Sequence, residues 1–290
     1  MLGAIVGDTV GSIYEFHNTK DYWFELFREE SNYTDDSIMT MAVAYWLLHD
    51  PEHSYQGLED IMVEFGHKCP CPIGGYGGGF RCWLFHPSEL HAFDDQYGVS
   101  PYESKTGRHP YGSFGNGSAM RASACGWFFE TLEETERVAG ISAAITHNHP
   151  EGIKGAQATA GAIFLARTGV TKEEIKEYIE KTYGYNVHRT WEDIHWEYYW
   201  HASCQGTVPQ AVIAFLTSEN FEDAVRRSVS LGGDSDTLAC ITGGIAEAYY
   251  KEIPKAIAER VCRNFPRIFN QILEDVRNET VYGKICRIGE

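Results

Sequence analysis

Two short segments of the chain concentrate carboxylates more densely than a solvated surface needs. One reads Tyr33-Thr34-Asp35-Asp36-Ser37 and the other Gly232-Gly233-Asp234-Ser235-Asp236-Thr237, and each immediately precedes an apolar helical pattern. One acid in each fits a helix N-terminus, where Ser, Thr and Asp cap free N–H groups and negative charge suits the helix dipole. A second acid beside it is repelled unless a cation or a proton intervenes. Within a helix, residues i and i+2 diverge by about 200°, so Asp234 and Asp236 share a ligand only if the loop-to-helix junction lets them converge. Two such junctions facing each other would offer four Asp and two Thr oxygens. These are hard ligands, suited to Mg²⁺, Mn²⁺ or Ca²⁺ rather than to zinc or copper. From the pattern alone, capping and a divalent-metal site both stay open.

A third acidic feature lies at the start. Gly3, Gly7, Gly11 and Glu15 recur at four-residue spacing, so on a helix they form one stripe, and Asp8 points to nearly the same side as Glu15. Glycine in an exposed helix costs about 1 kcal/mol relative to alanine. The expected compensation is close approach of another backbone, with Glu15 at the end of that seam. A well-packed helix with surface acids is the plain alternative.

Other signals are weaker. The glycine-rich run 74–80 lacks both the GxGxxG order and a following Lys-Ser/Thr, so it reads as a flexible loop near a cleft rather than a nucleotide motif. His67, Cys69, Cys71, Cys82 and His86 lack the usual CxxC spacing of a zinc site and read as thiols and imidazoles in a packed loop. His147 and His149 alternate as HxH, a pattern more typical of loop hydrogen bonding than of ligation. The aromatic run 191–200 either covers a cleft or packs in the core, and Cys204 has no evident catalytic partner.

The elements that must position these residues are helices. The segment 34–49 is apolar at Ile38, Met41, Ala42, Tyr45, Trp46 and Leu48, the periodicity of a buried helix. Further helices are predicted near 57–66, 118–129, 134–146, 151–167, 171–182, 208–216, 221–230, 236–250, 253–263 and 266–277, with long irregular segments at 68–117 and 184–207. Strand alternation and βαβ rhythm are nearly absent, and no Pro/Ser/Gly linker divides the chain. The expectation is one all-α domain over 1–290, a compact orthogonal array of helices with long loops around the site.

Composition narrows the function. The 290 residues carry 24 Lys+Arg against 41 Asp+Glu, a formal net charge of −17, which argues against an extended nucleic-acid surface. The longest near-apolar stretch, 39–48, is about half the ~20 residues that span a bilayer. The first residues lack the basic start of a signal peptide, and eight cysteines are too sparse for a disulfide scaffold. The expectation is therefore a cytoplasmic protein with reduced thiols and no membrane partner.

Five motifs in order carry a family resemblance: GDTVGSIYE at 7–15, TDD at 34–36, FGNGSAMR at 114–121, THNHPEG at 146–152 and GDSDT at 233–237. Together they resemble the ADP-ribosylglycohydrolase family over residues 3 to about 250. The resemblance implies an all-α fold around two divalent cations, Mg²⁺ or else Mn²⁺, in a cleft for ADP-ribose. It implies Thr34, Asp35, Asp36, Asp234, Asp236 and Thr237 as metal ligands. Glu15 matches a glutamate on a mobile segment. Gly115, Asn116, Gly117 and Ser118 match the turn that faces the diphosphate, and His147 matches a residue lining the cleft.

The implied activity is hydrolysis of the bond joining ADP-ribose to an acceptor: Arg or Ser of a protein, a nucleobase or a small molecule. Either Glu15 or Asp36 would be the base. The competing expectations are an ADP-ribose-binding or crystallin-like structural protein, and a hydrolase of another ADP-ribose derivative. The oligomeric state is open, with a monomer favoured.

Overall fold

The computed structural model describes residues 1–90 and 100–288. Sixteen α-helices dominate them. The first eight are α1 (Leu2–Gly11), α2 (Asp35–His49), α3 (Tyr55–Lys68), α4 (Gly78–Phe85), α5 (Gly117–Met120), α6 (Cys125–Phe128), α7 (Leu132–Ala144) and α8 (Pro150–Arg167). Then follow α9 (Lys172–Tyr183), α10 (Trp191–His195), α11 (Cys204–Leu216), α12 (Phe221–Val229), α13 (Ser235–Tyr250), α14 (Lys255–Cys262), α15 (Arg267–Glu279) and α16 (Tyr282–Ile285). Among the described residues the one sheet is a parallel pair, β1 (Glu252–Ile253) with β2 (Arg287–Ile288). The architecture is all-α, and its buried apolar side chains form one cluster from Met1 to Tyr282.

The pair α1 and α13 sits at the centre and runs antiparallel. A Cβ built on Gly3 would lie 2.4 Å from the Gly243 carbonyl oxygen, one on Gly7 1.8 Å from that of Ala239, and one on Gly11 2.5 Å from the Cα of Asp236. These separations exclude any side chain at those positions, so the glycine stripe is a backbone-to-backbone seam. Burying every residue of α1 against neighbours offsets the helix propensity that glycine lacks. The seam also has a positional consequence, because it brings the end of α1 onto the acid-bearing start of α13.

Helix ends follow the expected chemistry where the sequence supplies it. Thr171 and Glu174 form a reciprocal capping box at α9, which ends on Gly184 in the left-handed conformation. Several details differ from the expectations, including α10 within the segment 184–207 expected to be irregular. The segment 118–129 is broken into α5, a 3₁₀ turn over Arg121–Ala124, and α6. The irregular region 68–117 contains α4, and its residues 91–99 lie outside the described residues. Helix α11 begins at Cys204, with Pro209 inside it, rather than at 208. Proline usually marks a boundary, but here tertiary burial of Val208, Pro209 and Val212 carries the helix through it.

Candidate functional site

The two acid pairs sit at the N-termini of α2 and α13, and neither pair serves as the cap. At α2 the Thr34 hydroxyl accepts the Asp36 N–H at 3.2 Å. At α13 Asp234 occupies the N-cap position without a side-chain capping bond. Capping therefore accounts for at most one of the four aspartates. Instead, carboxylate oxygens of Glu15, Asp234 and Asp236 lie within 4.8 Å of one another. Asp35, Asp36 and Thr237 line the same cleft.

The local folding that assembles this cluster begins at Asp8. Asp8 is fully buried and accepts the backbone N–H groups of Thr34 (2.9 Å) and Ser37 (3.1 Å). It also accepts the hydroxyl of Thr34 (2.7 Å) and that of Ser37. Four donors on one carboxylate tie the start of α2 to α1, and α1 is locked to α13 by the glycine seam. Burial pushes the Asp8 carboxyl up to about 6, against those hydrogen bonds, which pull it down.

Glu15 departs from the helical stripe that its spacing predicted. Helix α1 ends at Gly11, where Ser12 N–H bonds back to the Asp8 carbonyl and Tyr14 N–H to that of Gly11. Glu15 is thus not on the helical stripe but on the irregular segment beyond it. The glycine-rich loop meets it there: a Cβ on Gly74, whose φ is +76°, would lie 2.8 Å from Glu15 Oε2. Only glycine combines that backbone conformation with that proximity.

Like charges in a dry site raise one another's pKa. Asp35, Asp36 and Asp236 are held well above the usual carboxylate range, first by burial and then by neighbouring carboxylates. Glu15 is pushed up to about 7 by burial, then by Asp234 and Asp8. Two buried oxygens, Asp36 Oδ1 and Asp236 Oδ1, have no hydrogen-bond partner among the described residues. An unpartnered carboxylate oxygen facing other carboxylates is what a cation would satisfy. The donor set is all oxygen, so these residues fit a hard divalent ion.

The cluster carries a pH prediction. A carboxyl whose folded-state pKa lies above its unfolded value keeps a proton that the unfolded chain releases. Stability from the neutral form is present below the ordinary carboxylate range and is lost as pH rises to the shifted value. With divalent ions chelated, Tm is expected to fall between about pH 5 and pH 7.5, and millimolar Mg²⁺ or Mn²⁺ at about pH 7.5 is expected to raise it. Differential scanning calorimetry checks both; a flat profile insensitive to ions would remove the cluster from consideration as a cation site.

The acids form one wall of a cleft of about 400 Å³. The other walls include Phe16, Gly74 to Gly79, Tyr111, Gly115, Asn116, Gly117, Arg121, His147 and Trp200. Asn116 donates to Asp234 Oδ2 at 2.7 Å and to Thr207 at 3.1 Å, so it orients an acid as well as facing the cleft. Ser118 is fully buried and donates to the Gly152 carbonyl at 2.7 Å, bracing the turn from behind. Thr34 is likewise fully buried, with its hydroxyl on Asp8. His147 Nδ1 lies 2.7 Å from the Thr146 hydroxyl, and burial with the nearby Arg121 holds its pKa well below the usual range. His147 is therefore a neutral ring in the wall.

Several cleft residues lie in segments that the sequence singled out without assigning them a role. Arg121 is 1% exposed, donates to the Ser142 carbonyl and the Thr146 hydroxyl, and keeps a buried Nε without a partner. It brings positive charge to the lining. Tyr76, Phe80 and Tyr111 add rings, and of the aromatic run 191–200 it is Trp200 that reaches the cleft, while Trp191 bonds the Arg227 carbonyl. Among the described residues, His67, Cys69, Cys71, Cys82 and His86 form no group around a common point.

Comparisons with known proteins agree with the motifs. A family profile described as ADP-ribosylglycohydrolase matches residues 1–284. The chain is 26% identical to the human ADP-ribosylhydrolase ARH3, over 86% of this chain and 84% of that protein. It is 25% identical to the mouse protein of the same name, over 91% and 86%. It is 23% identical to the ADP-ribosylarginine hydrolase Tri1 of Pseudomonas putida, over 86% and 69%. A solved structure titled "ADP-ribosylglycohydrolase-related protein complex" superposes with a TM-score of 0.64 at 21% identity, covering 99% of this chain and 97% of that one. Among the described residues no helix is long and apolar enough to cross a membrane.

Proposed function

The chain belongs to the ADP-ribosylglycohydrolase family, and from that premise we propose that it hydrolyses the glycosidic bond between ADP-ribose and an acceptor, releasing ADP-ribose. The observation that carries the reading is the convergence of Glu15, Asp234 and Asp236 in a cleft that also holds Asp35, Asp36 and a buried arginine. The one contiguous core supports treating 1–290 as a single domain.

In this reading Asp35, Asp36, Asp234, Asp236 and Thr237 hold two divalent cations, Mg²⁺ or Mn²⁺; Thr34, expected as a sixth ligand, is kept as a support, since its hydroxyl donates to Asp8 and it is not part of the cleft lining. Such ions, when bound, supply positive charge that fixes and polarises oxygen atoms of ribose and water. The protein's own groups do the rest. Arg121 brings positive charge to the lining beside the 115–117 turn, which suits a diphosphate in an otherwise acidic cleft. Tyr76, Phe80, Tyr111 and Trp200 offer rings for an adenine. Neutral His147 lines the cleft without adding charge.

Cleavage develops positive charge at C1 of the ribose, so carboxylates facing it lower the barrier electrostatically. Water adds to C1 as the bond to the acceptor breaks, the bonding pair leaves with the acceptor atom, and the water's proton passes to a carboxylate. We assign that proton to Glu15. It is the half-buried member of the carboxylate group, on an irregular segment rather than a helix, whereas Asp234 and Asp236 are buried. Asp36, deeper and fixed on α2, remains a ligand.

Glu15→Gln is expected to lower kcat about a hundredfold or more, with a smaller change in KM. The substrates are peptides carrying ADP-ribosyl-Arg or ADP-ribosyl-Ser and an ADP-ribosylated nucleobase, assayed by chromatography of the products. ADP-ribose from at least one supports the reading and identifies the acceptor; AMP with ribose phosphate would show a diphosphatase instead.

A further inference from the structure

Glu15 lies on the irregular segment after α1, and Asp234 on the turn before α13. We infer that Asn18 is a positioning residue that latches the segment bearing Glu15 onto the turn bearing Asp234, holding the acid cluster together from outside the cleft. The inference rests on the metal centre of the proposed function.

Beyond Tyr14 the chain leaves α1, and the next fixed point is the Asn18 side chain. Its Nδ2 lies within hydrogen-bonding distance of the carbonyls of Tyr14 (2.7 Å), Glu15 (2.7 Å) and Gly233 (2.9 Å). Its Oδ1 accepts the Gly233 N–H at 2.8 Å. One amide thus pairs with both backbone groups of Gly233 and reaches back to the carbonyl of Glu15 itself. Gly233 directly precedes Asp234, so the latch spans the two cluster-bearing segments with a single side chain.

The turn it grips is itself held. Gly232 and Gly233 have φ of +70° and +74°, and a Cβ on Gly233 would lie 2.9 Å from the Tyr198 ring. Lys20 adds a second tie, donating to the carbonyls of Leu231 (2.5 Å), His195 (2.6 Å) and Tyr198 (2.9 Å). The 14–20 segment is therefore fastened to 231–233, and Asn18 is the fastening adjacent to Glu15. Asn18 is exposed and outside the cleft lining, so it has no direct contact role in the chemistry. Water competes for such a bond, which makes this a releasable latch rather than a core contact.

The test is Mn²⁺ binding by the full chain, followed by electron paramagnetic resonance, in the parent, Asn18→Ala, Asn18→Asp, Glu15→Gln and the double variants. Asn18→Asp keeps the shape and the acceptor but lacks the donor. Because Glu15 stands in one carboxylate group with Asp234 and Asp236, each Asn18 variant and Glu15→Gln is expected to weaken Mn²⁺ binding about tenfold, the size usual for a residue that orients a ligand. In the Glu15→Gln background the Asn18 changes are expected to add almost nothing, because the latch acts by holding Glu15 against Asp234. Additive losses would show a merely structural role and overturn the inference. So would parental affinity in the Asn18 variants, or in Glu15→Gln. Parental Mn²⁺ binding without ADP-ribosyl turnover would overturn the proposed reaction alone, and failure of the parent to bind Mn²⁺ would overturn both.

Discussion

Asp236→Asn is expected to reduce turnover of an ADP-ribosylated substrate by about a thousandfold or more, corresponding to about 4 kcal/mol of lost transition-state stabilisation. The same change is expected to leave the chain folded and, with ions chelated, more stable than the parent. Both effects follow from one arrangement. Burial raises the pKa of Asp236, then the neighbouring Asp234, Asp36 and Glu15 raise it further, and its Oδ1 has no partner among the described residues. Asparagine keeps the shape and removes a repelling charge, so the fold gains what the cation site loses. Turnover assays paired with calorimetry in chelator check the two signs together. A variant that loses activity and stability in parallel would mean that Asp236 is structural.

Gly7→Ala is expected to lower stability by about 3–5 kcal/mol, or to prevent folding, although it adds one methyl group to a helix and improves intrinsic propensity. The added Cβ would stand 1.8 Å from the Ala239 carbonyl oxygen and 2.9 Å from the Cys240 nitrogen. Both are backbone atoms of α13, so no rotamer change relieves the clash and the two central helices must separate. Because Asp236 and Asp8 lie on that pair, whatever protein folds is also expected to bind Mn²⁺ more weakly. Chemical denaturation reads the loss; a midpoint close to the parent's would show that α1 and α13 do not meet as described.

The fold class was legible because helical periodicity and glycine spacing are local signals. The stripe Gly3, Gly7, Gly11 announced a backbone seam, and the structure places Gly243 and Ala239 against it. The acid pairs were legible as chemistry too, since two adjacent carboxylates before an apolar helix exceed what a cap needs. The hidden features depend on tertiary contacts. Asp8 looked like a companion of Glu15, but the Thr34 and Ser37 donors that make it an anchor come from 26 and 29 residues away. Asn116 stood in a motif that faces the cleft, and its bond to Asp234 crosses 118 residues. The end of α1 at Gly11, which puts Glu15 on a loop, was masked by the continuing four-residue period. Pro209 hid the start of α11 for the opposite reason, a local breaker overruled by burial.

The most direct test of the account is ADP-ribose release by protein stripped with chelator and then supplied with Mg²⁺ or Mn²⁺, across Arg-, Ser- and nucleobase-linked substrates. The acid cluster predicts no turnover in the stripped protein and its return on adding either ion. Undiminished release in chelator, or no ADP-ribose from any of these substrates with ions present, would contradict it.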